Sequence, residues 1–189
     1  MGVKLVNPFG SCKIENIAFG IHKLEKWILR QGLKLEYKTI SATEVEKQFK
    51  QKWGIDVWCK DSEYRYVDYE TLKEIDKRMW VHRLQYVSQY LDCDDFSGFY
   101  KALLNLYFGI NACWMVVGEV HSLSTGKFQG YHQWNAVYAG DIYLKEPQTE
   151  IPPVNGLEMR EIDWRYKPLF ISDREVSREI LRKFAEVKV

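Results

Sequence analysis

The chain has 189 residues, 46% hydrophobic and 15% aromatic, with 28% charged and a net charge of +1. Such a composition excludes a disordered chain and supplies a buried core, while the balanced charge gives no field to recruit nucleic acid or an acidic membrane. No window approaches the apolar length of a membrane span, and Met1 to Gly10 lacks a secretory pattern. The expectation is one cytoplasmic domain over 1–189. It comprises a mixed helix and strand half (1–80), a core carrying the chemical motifs (81–150) and a C-terminal extension (151–189) with a terminal helix.

In chain order, Ile21, Leu24, Trp27 and Ile28 recur at helical spacing before Gly32. Leu33, Leu35 and Tyr37 alternate as in a half-buried strand. Thr43 and Glu46 have capping-box spacing for a helix that presents Val45, Phe49 and Trp53 on one face. Short strands are predicted over 55–59 and 64–69, then a helix over 68–80 with Leu72, Ile75 and Met79 inward. Phe96, Phe99, Leu103, Leu104 and Tyr107 make an apolar stripe ending at Gly109. Strands are predicted over 112–120, 134–139 and 142–145, with a hairpin loop over 122–130. Past Pro152-Pro153 the pattern is less legible, apart from a helix over 172–187. The fold class is α+β: a nucleophile helix followed by an antiparallel meander.

Cys93 carries the chemical reading. It falls at or next to the start of the stripe helix, where unpaired N–H groups and the helix dipole favour a thiolate. Asp92, Asp94 and Asp95 suit the positive helix end, yet three carboxylates raise a thiol pKa. A counter-charge is therefore required: a protonated His132, a bound cation, or both. The plain reading of His132 is a hydrogen-bonded core histidine. Trp134, on the same strand face, could shield and orient its ring. Glu146, 14 positions on and past one hairpin turn, could hold the tautomer. Asn135 is the second choice for that role because its side chain points to the other face. His121 ranks below His132 as a base, and His22 and His82 have no helpful company. Cys12, Cys59 and Cys113 read as ordinary reduced thiols, with no Cys-x-x-Cys pair for zinc.

Three motifs then combine: Arg83-Leu84-Gln85-Tyr86-Val87 with Asp92-Cys93-Asp94-Asp95-Phe96, His132-x-Trp134-Asn135, and Glu146-Pro147-Gln148-Thr149. Over 83–149 they resemble the group of proteins related to the C-terminal domain of the fairy-ring mushroom agglutinin, with relatives in phages and bacteria. More distantly they resemble transglutaminase-like cysteine proteinases. The resemblance implies a papain-like fold with Cys93 as nucleophile, His132 as base and Glu146 as orienting acid. It further implies a phage-type setting and calcium or another divalent cation near Asp94 or Asp95, although the thiol chemistry itself requires no cofactor. Ser97 stands where relatives often have alanine, and Gln133 where a small residue is usual; on a strand it should point away from the site. Tyr86 and Gln89 are the oxyanion candidates beside the Cys93 N–H. The agglutinin's lectin module has no counterpart in the sequence, so sugar binding is not implied.

The expected function is a thiol hydrolase cleaving an amide or related acyl bond of a peptide or protein, with transamidation as a variant outcome. The alternative is a papain-like protein that binds or builds without catalysis. A third reading makes the aspartates a structural metal site only.

Overall fold

In a computed structural model the described residues are 23–88 and 90–173. The chain divides after Leu33 into two units. In the first, residues 23–30 are helical, in keeping with the spacing of Leu24, Trp27 and Ile28.

The second unit begins with strand β1 (Lys38–Ser41) and helix α1 (Ala42–Trp53), then short strands β2 (Val57–Trp58) and β3 (Glu63–Tyr66) and helix α2 (Tyr69–Asp76). Strand β1 follows the predicted 33–37 strand rather than coinciding with it, pairing antiparallel with β3. The α1 cap also differs from the expected Thr43–Glu46 box. Ser41 is the N-cap, its hydroxyl accepting the Glu44 N–H at 3.3 Å, because β1 runs to Ser41 and delivers it in extended geometry. Helix α2 is capped by Asp68, which accepts the Thr71 N–H at 2.9 Å.

Helix α3 spans Cys93–Phe108, so Cys93 is its first residue. It ends at Gly109, whose φ of 71° is the left-handed geometry that glycine adopts without a Cβ clash. Its buried face is Phe96, Ser97, Tyr100, Leu104, Tyr107 and Phe108. That is a rotation of the predicted stripe: Phe99 is 44% exposed, while Ser97 is buried because its polar group is bonded to the sheet.

The sheet consists of β4 (Cys113–Ser122), β5 (Phe128–Tyr138), β6 (Ile142–Lys145), β7 (Val154–Asn155), β8 (Glu158–Met159) and β9 (Trp164–Ser172), with β2 at its edge. Spatial order is β2-β9-β4-β5-β6-β7, antiparallel except for the β2–β9 pair. The predicted meander is therefore flanked on its other side by β9, from the stretch that pattern alone left unassigned. Strand β4 is buried on both faces between β5 and β9, as its nearly continuous apolar run requires. Strand β5 begins at Phe128, six residues before the predicted start at Trp134, and the loop shrinks accordingly. Trp114 sits in the core, with Phe49 edge-on at 5.4 Å and Tyr64 at 4.8 Å. Among the described residues no helix is long and apolar enough to cross a membrane. The predicted C-terminal helix lies almost wholly outside the described residues, and its first position, Ser172, ends β9.

Candidate active site

Successive residues of β5 point to opposite faces of the sheet, and that alternation builds the site. Gln133 and Asn135 face α3. Gln133 Nε2 donates to Ser97 Oγ at 3.2 Å and Asn135 Nδ2 to the Ser97 carbonyl at 3.1 Å. The Ser97 hydroxyl in turn donates to the Trp134 carbonyl at 3.4 Å. Further along, Lys101 of α3 donates to the carbonyl of Cys113, which pairs with Val137 on β5. Helix α3 thus runs alongside β5 with its N-terminus directed toward His132.

His132 and Trp134 occupy the other face, near-parallel with ring centroids 6.4 Å apart. Strand β6 stops pairing at Lys145 opposite Asn135, so the chain leaves the sheet at Glu146, beside the histidine. His132 Nε2 lies 2.6 Å from Glu146 Oε2 and donates to it. Cys93 lies near enough to the ring to raise the His132 pKa; with Nε2 committed to Glu146, Nδ1 is the nitrogen left to face the thiol. His132 thus stands between Glu146, which it contacts directly, and Cys93, whose influence raises its pKa. Asn135 is bonded to Ser97 and the Trp114 carbonyl instead of the ring.

Burial alone would push the His132 pKa down, because it disfavours the imidazolium. The influence of Cys93 and the hydrogen bond and negative charge of Glu146 outweigh it, and the pKa is raised to about 9. Glu146 is only 1% exposed yet fully engaged: besides His132, Oε2 accepts the Tyr166 O–H at 3.1 Å and Oε1 accepts the Gln148 N–H at 3.2 Å. Trp164 meets the His132 ring edge-on at 5.3 Å.

Tyr166 and Trp164 are the residues that sequence reasoning missed. Both lie on β9, which becomes the neighbour of β4 only through long-range pairing. A partial signal was present: Trp164 and Tyr166 alternate with Arg165 and Lys167, a strand pattern, before Pro168 interrupts it.

At the helix start, Asp95 Oδ2 accepts the Asp92 N–H at 3.2 Å, the returning half of a capping box. Asp94 instead faces Asp92. Their shared hydrogen bond, then burial and the Asp92 charge, lift its pKa to about 6. Asp92, Cys93 and Asp94 each bring a ligand atom within 4.8 Å of the others and could coordinate a divalent ion. The set offers two hard carboxylates and a soft thiol, where calcium takes roughly six to eight oxygens; Asp95 is committed to the cap. Of the oxyanion candidates, Tyr86 is 55% exposed and Gln89 lies outside the described residues. Among the other histidines, His121 bonds Glu119 at 3.1 Å and His82 pairs with Glu150 at 3.3 Å. Burial raises the Cys113 pKa to about 12 and also raises that of Cys59.

A thiol at the first position of a helix, set against an open and mostly antiparallel sheet, defines an α+β protein of papain-like topology. No family model matches the chain, and no curated protein does. Among solved structures, the chain is similar to Polyporus squamosus lectin bound to the human-type influenza-binding epitope Neu5Aca2-6Galb1-4GlcNAc. That likeness has 17% identity and a TM-score of 0.50, covering 74% of this chain and 50% of the other. A second similarity, to a PSL1a-E64 complex, has 16% identity and a TM-score of 0.47 over 74% of this chain and 52% of that one. The chain thus spans about half the length of either protein. At such identity the likeness establishes kinship of fold alone.

Proposed function

We propose that the protein is a thiol hydrolase acting on an amide or related acyl bond of a peptide or protein. The observation that carries this reading is the 2.6 Å contact of His132 with a buried Glu146, on a ring near Cys93. In this reading the Cys93 thiolate attacks the carbonyl carbon and forms a thioester. His132 gives its proton to the leaving amine, then takes a proton from the water that resolves the thioester and regenerates the thiol. Glu146 holds the Nε2–H and balances the imidazolium. The first N–H groups of α3, which have no partner within the helix, are suited to the developing oxyanion.

The second reading is a papain-like binding or structural protein without catalysis. The likeness to a lectin supports it, as does the crowding of Asp92 and Asp94 around the thiol, which opposes a thiolate.

One assay separates the two. A mixture of synthetic peptides is incubated with the wild type, Cys93→Ala and His132→Ala, with glycine methyl ester as added amine, in calcium and in EDTA. The hydrolase reading predicts new peptides carrying one added water, lost in both variants. Peptides bearing the amine would identify transamidation, and a calcium requirement would bring a cation into the site. Identical peptide masses in all three proteins would leave the binding reading in place.

A further inference from the structure

Lys145 precedes Glu146, and its side chain lies in the interior. Its ammonium is almost fully buried and has a partner for each of its three protons: Asp76 Oδ2 at 2.9 Å, the Thr149 carbonyl at 3.1 Å and the Ile151 carbonyl at 2.7 Å. Asp76 Oδ1 accepts the Tyr100 O–H at 2.9 Å. One buried cation thereby joins α2, through Asp76, to helix α3, which carries Cys93, and to the loop that follows Glu146.

We propose that Lys145 is a positioning residue for the Glu146 carboxylate, closing the 146–151 loop by holding the carbonyls of Thr149 and Ile151. The proposal rests on the thiol-hydrolase reading above. Within the loop, Thr149 donates from its N–H and its hydroxyl back to the Glu146 carbonyl, at 3.2 and 3.1 Å. This turn brings the Gln148 N–H onto Glu146 Oε1, leaving Oε2 for His132 and Tyr166. A carboxylate held on both oxygens has little freedom to leave the ring, which is what an orienting group requires.

Stability alone does not account for a lysine here. A buried ion pair is often matched or exceeded in stability by apolar residues of similar volume. An apolar residue would leave the half-buried Thr149 and Ile151 carbonyls without this donor and the loop without its tether. The two carbonyls, more than Asp76, are the part of the arrangement that needs an ammonium.

The experiment measures iodoacetamide alkylation of Cys93 at pH 6 in EDTA, on the full chain, by peptide mass spectrometry. It compares the wild type, Asp76→Asn, Lys145→Arg and the double variant Lys145→Met/Asp76→Asn, which removes both charges without stranding either. Asp76→Asn keeps the ammonium on both carbonyls and should stay within about twofold of the wild type. The double variant should slow about tenfold or more, the size of effect expected when a reacting geometry loosens by an ångström or less, while keeping a cooperative thermal transition. If the double variant does not fold, Lys145→Arg decides: its larger, planar head keeps the charge but cannot reproduce the compact ammonium's geometry in a buried site without moving the loop, so a tenfold slowing is again expected. A folded double variant, or a Lys145→Arg protein, that alkylates at the wild-type rate overturns the proposal, whatever its melting temperature. A wild-type Cys93 no faster than Cys59 overturns this proposal and the thiol reading together. A fast wild type with an equally fast double variant overturns this one alone.

Discussion

At the scale of single residues, Asp94 is the group most at odds with a thiolate. Its pKa, raised to about 6 by the hydrogen bond and charge of Asp92 and by burial, reports an environment that disfavours its charge. For an acid raised above its unfolded value, folding is favoured while the group is protonated. The advantage shrinks as pH rises from about 4 through about 6. Asp94→Asn should therefore stabilise the protein above pH 6 by about 1 kcal/mol, screening reducing the full effect for a half-exposed group. It should also speed Cys93 alkylation at pH 7 by removing a negative neighbour. Urea midpoints at pH 5 and pH 8 check the first effect, and a midpoint gain confined to pH 5 would contradict it. Several of these residue-level features were legible in the sequence. Cys93, His132, Trp134 and Glu146 stand out because a helix start and a strand alternation fix where each can point. The opposing faces of Trp134 and Asn135 followed from the same parity. Ser97 was not legible as a hub: a serine in an apolar stripe looks incidental until Gln133 and Asn135 arrive from a strand more than thirty residues away.

At the scale of elements, the position of His132 depends on close packing across three strands. Gly118 on β4 pairs with His132 on one side and Pro168 on the other. A Cβ at Gly118 would come within 2.2 Å of the Lys167 carbonyl oxygen and 2.6 Å of the Trp134 ring. The first atom is backbone and cannot be rotated away, so the strand itself would have to shift. Gly118→Ala should cost about 3 kcal/mol, the upper end of overpacking penalties, and should slow Cys93 alkylation because Trp134 stacks on His132. A urea midpoint indistinguishable from the wild type would contradict the packing argument. Element boundaries were the least legible feature. Strand β9 went unassigned because its partner residues on β4 lie more than forty positions away and its own run is broken by Pro168. The α1 cap was misplaced by two residues because a Ser and a Thr compete for the role within three positions, and only the end of β1 selects Ser41. The rotated face of α3 has the same origin as the Ser97 hub, since hydrogen bonds from the sheet pay for burying a hydroxyl.

At the scale of the whole molecule, the sheet and α3 bring Cys93, His132 and Glu146 together from a helix start, a central strand and the loop after its neighbour. Fold class was legible because periodicity changes from helical to alternating near Gly109. What pattern could not supply is the support around the site from Tyr166 and Trp164 on β9, which depends on tertiary contact. The central proposal is that Cys93 acts as the nucleophile beside a protonated His132. Because His132 is raised to about 9 against the effect of burial, its ring should stay protonated as pH climbs past neutrality and lose its proton only near pH 9. The most direct test is the rate of Cys93 alkylation by iodoacetamide from pH 5 to pH 10, with Cys59 and Cys113 as internal references and His132→Ala as control. The predicted result is a fast, nearly flat profile well below the ordinary thiol pKa of about 8.5, changing near pH 9 and abolished in His132→Ala. A Cys93 that gains reactivity only as an ordinary thiol does, with or without His132, would contradict the account.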